Sequence, residues 1–172
     1  LDLEKIESGS FEFQPILARC LEAAHDCLLR LPLPQPPAEP DLEVARAEGV
    51  EAPDHRVRPL EARLARIYRA DLGGLSPAEH EALAEAFLGP IFAIARRYPD
   101  TLPVLSDLRE RGLRLGIVSN TPWGSPAGPW RREAARHGLT ELCEHVGFCA
   151  DCGWRKPAPQ PFAAALSHLG AP

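Results

Sequence analysis

From Leu102 onward the chain alternates helical and strand-like stretches, and this rhythm limits the possible folds more than any other feature. Leu102 to Arg111 reads as a helix ended by Gly112, and Leu113 to Val118 as a short buried strand. A loop rich in Gly and Pro runs from Asn120 to Gly128. Pro129 to His137 reads as a helix ended by Gly138, and Val146 to Ala150 as a second strand. A turn through Lys156 then leads into a last helix, from about Pro159 to Leu169. Helices alternating with short buried strands predict a parallel α/β sheet, in which ligands collect at the carboxyl ends of the strands. Ser119 and Lys156 both fall just past such ends, and their shared placement says more than either residue alone.

The chain before Tyr98 has a different rhythm. Ile16, Leu17, Cys20, Leu21, Ala24, Leu28 and Leu31 recur at three and four residues, as one face of a helix requires. The proline-rich stretch 32–40 stops that helix. Pro34-Gln35-Pro36-Pro37 has the spacing of a polyproline ligand, but the stretch is read as a stiff connection between helices. Leu60, Leu64, Ile67 and Tyr68 mark a second helix. Ser76, Pro77 and Glu79 predict a third, opened by a capping box and carrying Leu83, Phe87 and Leu88. Gly89-Pro90 is expected to interrupt or kink it before Ile91 to Arg97 resumes. The expected division is a helical region, 1–97, and an α/β region, 98–172.

Composition narrows the function classes. With 172 residues, 45% hydrophobic and 25% charged, the chain is long enough for a real core and is globular rather than disordered. A net charge of -5 argues against nucleic-acid binding. No apolar run approaches a membrane span, and no signal-peptide pattern opens the chain. Five cysteines do not make a disulfide framework, so a reducing, cytoplasmic setting is expected. Cys149-Ala150-Asp151-Cys152, with Cys143 and His145 nearby, has spacing suited to zinc or a dithiol. A redox pair usually opens a helix, whereas Gly153 and Pro157 follow here, so these cysteines are read as small buried hydrophobes. Trp123 and Trp130 flank the loop after Ser119, either walling a pocket or packing the loop onto the core.

Of the 19 lysines and arginines only Lys5 and Lys156 are lysines. In so arginine-rich a chain, a retained lysine suggests a need for a compact point charge that a planar guanidinium cannot replace. Lys156 stands in Gly153-Trp154-Arg155-Lys156-Pro157-Ala158-Pro159, and Ser119 in Leu115-Gly116-Ile117-Val118-Ser119-Asn120-Thr121. In order, spacing and topology these stretches resemble the second and third motifs of the haloacid dehalogenase (HAD) superfamily of hydrolases. The second motif is a strand ending in Ser or Thr; the third is a lysine commonly followed by proline. The resemblance runs from Tyr98 to Pro172, and the helical region before it resembles the cap that many members insert between the first and second motifs.

The resemblance implies a partial Rossmann-like core and a phosphatase acting on a small phosphorylated metabolite through an aspartyl-phosphate. Ser119 and Lys156 would then be catalytic, with Asn120, Thr121 and Arg155 contacting substrate. Magnesium would be the cofactor, held by carboxylates of other motifs. Two departures stand out. No Asp-x-Asp-x-Thr first motif occurs in the sequence, since Asp2 in Leu1-Asp2-Leu3-Glu4 lacks both strand and second aspartate. The acidic fourth motif normally lies beyond the helix ending near Leu169. Truncation at both ends is the expectation, leaving the 172 residues inactive alone. The alternatives are a dehalogenating relative, which needs no magnesium, and a non-catalytic zinc-binding or interaction module.

Overall fold

The structure, a computed structural model, describes residues 13–171; Asp2, Lys5 and Pro172 lie outside them. Two compact units are present, residues up to Val50 with Leu60–Arg96, and Glu51–Pro59 with Arg97 onward. The segment 51–59, placed in the helical region by sequence, therefore groups with the α/β residues.

The first unit is helical. Helix α1 (Phe13–Leu28) buries Leu17, Cys20, Leu21, Ala24, Cys27 and Leu28. Their spacing puts one continuous apolar stripe against helix α4 (Pro77–Ile94). Between them, α2 (Leu42–Gly49) and α3 (Leu60–Tyr68) pack together. The proline-rich stretch joins α1 to α2 and is pinned to the end of α3, where the Ala38 and Asp41 amides donate to the Tyr68 and Ile67 carbonyls at 2.8 and 3.1 Å. Tyr68 is fully buried, donates its hydroxyl to the Leu21 carbonyl at 2.6 Å and stacks on His25. Fully buried Arg63 donates to the Glu48 carbonyl. The Glu48 carboxylate takes both arms of Arg66, at 2.5 and 2.8 Å. Arg63 and Glu48 are thus buried with hydrogen-bond partners.

Two expectations change here. The helix through Leu83 runs on past Gly89-Pro90 to Ile94 as one element. A proline inside a helix costs about 3 kcal/mol, but Leu83, Ala84, Phe87, Leu88 and Ile91 are all buried along it. Burying that many large apolar side chains returns more, at about 1.5–3 kcal/mol each. Helix α2 was not anticipated, because its apolar pattern is short. Its start was nevertheless marked, since the Asp41 side chain caps it by accepting from the Glu43 and Val44 amides at 3.2 Å.

The second unit is the α/β one. Its order is α5 (Thr101–Glu110), β1 (Gly116–Ser119), a 3₁₀ turn (Pro122–Gly124), α6 (Ala127–Arg136), β2 (His145–Phe148), α7 (Cys149–Cys152) and α8 (Gln160–His168). Strands β1 and β2 pair in parallel, Gly116 opposite His145 and Ser119 opposite Phe148. Helix α8 packs on both strands, and α6 on β2 and α7. The strands are shorter than read. Leu113 is exposed and precedes the register, while Cys149 and Ala150 leave it for α7. Because the two strands are parallel and in register, their carboxyl ends meet at one edge.

Candidate active site

That edge is built by Asn120, the first residue after β1. Its side-chain Oδ1 accepts from the Lys156 amide at 2.7 Å, and its Nδ2 donates to the Lys156 carbonyl at 3.2 Å. One side chain thus satisfies both main-chain groups of Lys156, as a strand neighbour would. The loop that carries the lysine is held against the end of the strand that carries Ser119. The Lys156–Pro157 peptide is cis. Ser119 is half-buried and its hydroxyl donates to the Asn120 carbonyl at 3.2 Å. It stays free to turn to a better acceptor.

The other sequence candidates have different surroundings. Thr121 is buried; its hydroxyl donates to the Ser125 carbonyl at 2.7 Å, and its amide donates to the Cys149 sulfur at 3.1 Å. Its amide and hydroxyl therefore fasten the loop. The Arg155 guanidinium pairs with Glu51 at 3.2 Å, so its charge is already answered within the unit. Trp123 and Trp130 are both buried, and the Trp130 indole N–H donates to the Ser125 hydroxyl at 3.0 Å. They pack the loop rather than wall a pocket.

Sequence reasoning missed the part played by residues 55–58. The Arg155 amide donates to the His55 carbonyl at 2.8 Å, and the Val57 amide to the Gly153 carbonyl at 3.0 Å, around an antiparallel bridge between Arg56 and Trp154. The Arg56 guanidinium lies 4.3 Å from the centre of the Trp154 ring. Farther along, the Arg58 carbonyl runs so close to Gly124 that a Cβ there would sit 1.9 Å from it. This segment braces both the Lys156 turn and the loop after Ser119. Nothing in its apolar pattern announces it; the glycine in the facing loop was the available signal.

Cys143, His145, Cys149 and Cys152 form no zinc site: among the described residues no three Asp, Glu, His or Cys gather where a metal could be held. The same fact bears on magnesium. Among the described residues no carboxylate set gathers there that could hold it.

Ser119 at one strand end and Lys156 in the loop beyond the other lie at the carboxyl edge of a parallel α/β sheet, the place where such folds bind ligands. The profile of the haloacid dehalogenase-like hydrolases matches residues 33–172, and the chain belongs to that family. It is 34% identical over 79 residues to a glyceraldehyde 3-phosphate phosphatase of Methanopyrus kandleri, covering 46% of this chain and 32% of the relative. It is 37% identical over 73 residues to a phosphoglycolate phosphatase of Rhodospirillum rubrum, covering 42% and 29%. The chain therefore spans about a third of the length of the curated relatives it matches. Among solved structures it resembles a HAD phosphatase from Thermococcus onnurineus, with a TM-score of 0.51 at 21% identity, over 92% of this chain and 66% of that one. That likeness shows the fold, a partial Rossmann-like core of α/β class with flanking helices.

Proposed function

We propose that this chain is the Ser119 and Lys156 half of a phosphatase site that hydrolyses a small phosphorylated metabolite through an aspartyl-phosphate. The observation that carries the reading is the Asn120 side chain on the Lys156 backbone, which ties the two motif residues to one edge. The names of the relatives, a glyceraldehyde 3-phosphate phosphatase and a phosphoglycolate phosphatase, support phosphate esters of small acids and aldehydes as the substrate class.

Phosphoryl transfer spreads negative charge over three equatorial oxygens, so the protein's main task is to place donors and cations. Ser119 turns its hydroxyl from the Asn120 carbonyl to one of those oxygens. Lys156 supplies a compact positive charge shared by phosphoryl group and nucleophile. Asn120 adds its backbone N–H, its side chain being spent on the Lys156 loop. Magnesium, implied by the family, has no ligand set among the described residues, and these roles need none. The helical residues, by their position in the chain, are assigned to the cap region.

No Asp-x-Asp-x-Thr occurs in the 172 residues, so the test extends the chain through its flanking coding sequence. The extended protein is expected to release phosphate from an aryl phosphate and to lose that activity on Ser119→Ala, while the 172 residues alone show none. Turnover by the 172 residues alone, abolished by Ser119→Ala, would contradict the proposed nucleophile. Flanking sequence without such a motif would contradict it as well.

A further inference from the structure

The Cys149–Cys152 turn plays no part in the chemistry above. Contrary to the sequence expectation, Cys149 does open a helix: α7 is a single turn, closed by the Gly153 amide donating to the Cys149 carbonyl at 2.9 Å. Asp151 locks this turn, accepting from the Phe148 amide at 2.8 Å and pairing with Arg131 at 2.6 Å. Two residues three apart in a helical turn have Cα atoms about 5 Å apart, inside the range of about 4.4–6.8 Å that a disulfide spans. The Cys152 thiol donates to the Cys149 and Trp154 carbonyls at 3.6 and 3.5 Å, so it lies over the same turn.

The two thiols differ in access and in what they hold. Cys152 is half-buried and open to attack, whereas Cys149 is fully buried. Cys149 accepts the Thr121 amide at 3.1 Å and lies 3.4 Å from the Thr121 hydroxyl. Thr121 follows Asn120 directly, so this sulfur supports the loop that clamps Lys156. The other three cysteines, Cys20, Cys27 and Cys143, are all buried, and burial pushes the Cys20 thiol up to about 12 and raises Cys27 and Cys143.

We propose that Cys149 and Cys152 are a dithiol modification site, oxidised to an intramolecular disulfide by a low-molecular-weight disulfide, and that the oxidation withdraws the Cys149 sulfur from Thr121. The Cys152 thiolate attacks one sulfur of the small disulfide; the S–S bond breaks and the first small thiol leaves, taking the proton that Cys152 gave up. The Cys149 thiolate then attacks the Cys152 sulfur of the mixed disulfide and expels the second small thiol with the other proton. Two protein thiols are oxidised and one small disulfide is reduced to two thiols. Cys152 lies one turn along α7, whereas Thr121 lies on the neighbouring strand's exit, so the Cys149 sulfur must turn from one to the other. Any effect on catalysis rests on the phosphatase reading; the thiol chemistry does not.

The test is thiol mapping of the purified chain after exposure to oxidised glutathione, with amide hydrogen exchange read on the same samples. A Cys149–Cys152 link is expected, seen as the loss of two hydrogens from the joined peptides and reversed by dithiothreitol. Cys152→Ser abolishes it, and Cys149→Ser, which keeps an acceptor for Thr121, traps glutathione on Cys152. Exchange at the Thr121 amide is expected to rise about tenfold on oxidation, the effect of losing one hydrogen bond. Glutathione remaining on Cys152 of the unsubstituted chain would overturn the proposal. So would a link to another cysteine, or a Cys149–Cys152 link that leaves Thr121 exchange unchanged. None of these readings depends on phosphatase turnover, so failure of the catalytic reading would show separately.

Discussion

Asn120 spends both ends of its amide on the main chain of Lys156, and that use of one side chain is the tightest constraint at the site. Removing it leaves a partly buried N–H and C=O without partners. Asn120→Ala is therefore expected to cost about 1–3 kcal/mol, read as a lower urea midpoint with an unchanged slope. Gly124 is a second such point. Its φ of +63° already disfavours a side chain, and a Cβ would overlap the Arg58 carbonyl at 1.9 Å. Gly124→Ala should destabilise by at least about 2 kcal/mol. Gly74→Ala, with nothing within 4 Å of the added methyl, should be nearly neutral in the same melt. The placement of Ser119 at a strand end and of Lys156 in the turn after the next strand was legible in the sequence, because strand ends and Lys-Pro turns have local signatures. The environments of Thr121 and Arg155 were not, since their partners Ser125, Cys149 and Glu51 are set by loop geometry that no periodicity encodes.

Among the elements, those with a strong local code were read well. The capping box at α4 forms as expected, and the Ser76 hydroxyl, then the Ser76 amide, each donating to the Glu79 carboxylate at 2.7 Å, hold that carboxyl below its ordinary range. Pro90 does not interrupt α4, because the buried face of the helix outweighs a local breaker. Strand bounds shifted because only paired residues count as strand, and register depends on the partner. Helix α8 carries a pH-dependent contact: His168 in its last turn stacks on His145 of β2, ring centroids 4.4 Å apart. Burial, then repulsion from His168, pushes the His145 imidazole below its usual range; Asp151 opposes this and Arg131 adds to it. A histidine whose folded pKa is depressed binds its proton more readily when unfolded. Its contribution is complete above the ordinary histidine pKa and is lost as pH falls through that value toward the folded one. The melting temperature should therefore drop between about pH 8 and about pH 5, and less steeply in His168→Gln. Identical slopes would show that the stack carries no such coupling.

At the scale of the whole molecule, the α/β rhythm after Tyr98 was legible because two short apolar strands between helices leave few topologies. The segment 51–59 was not, because it joins the α/β unit through main-chain bonds to Gly153 and Arg155 that carry no apolar signature. The family match over residues 33–172 and the shared edge make Lys156 the centre of the proposed function, in which it supplies the compact charge for phosphoryl transfer. Steady-state kinetics of Lys156→Arg in the extended, active protein test this most directly, with Lys5→Arg, which lies in no motif, as the reference. Arginine keeps the charge but is wider and prefers two partners, and a displacement of about 1 Å at a reacting group costs about a hundredfold in rate. The account predicts a loss of about that size in kcat for Lys156→Arg and none for Lys5→Arg. Equal, undiminished turnover of the two variants would contradict it.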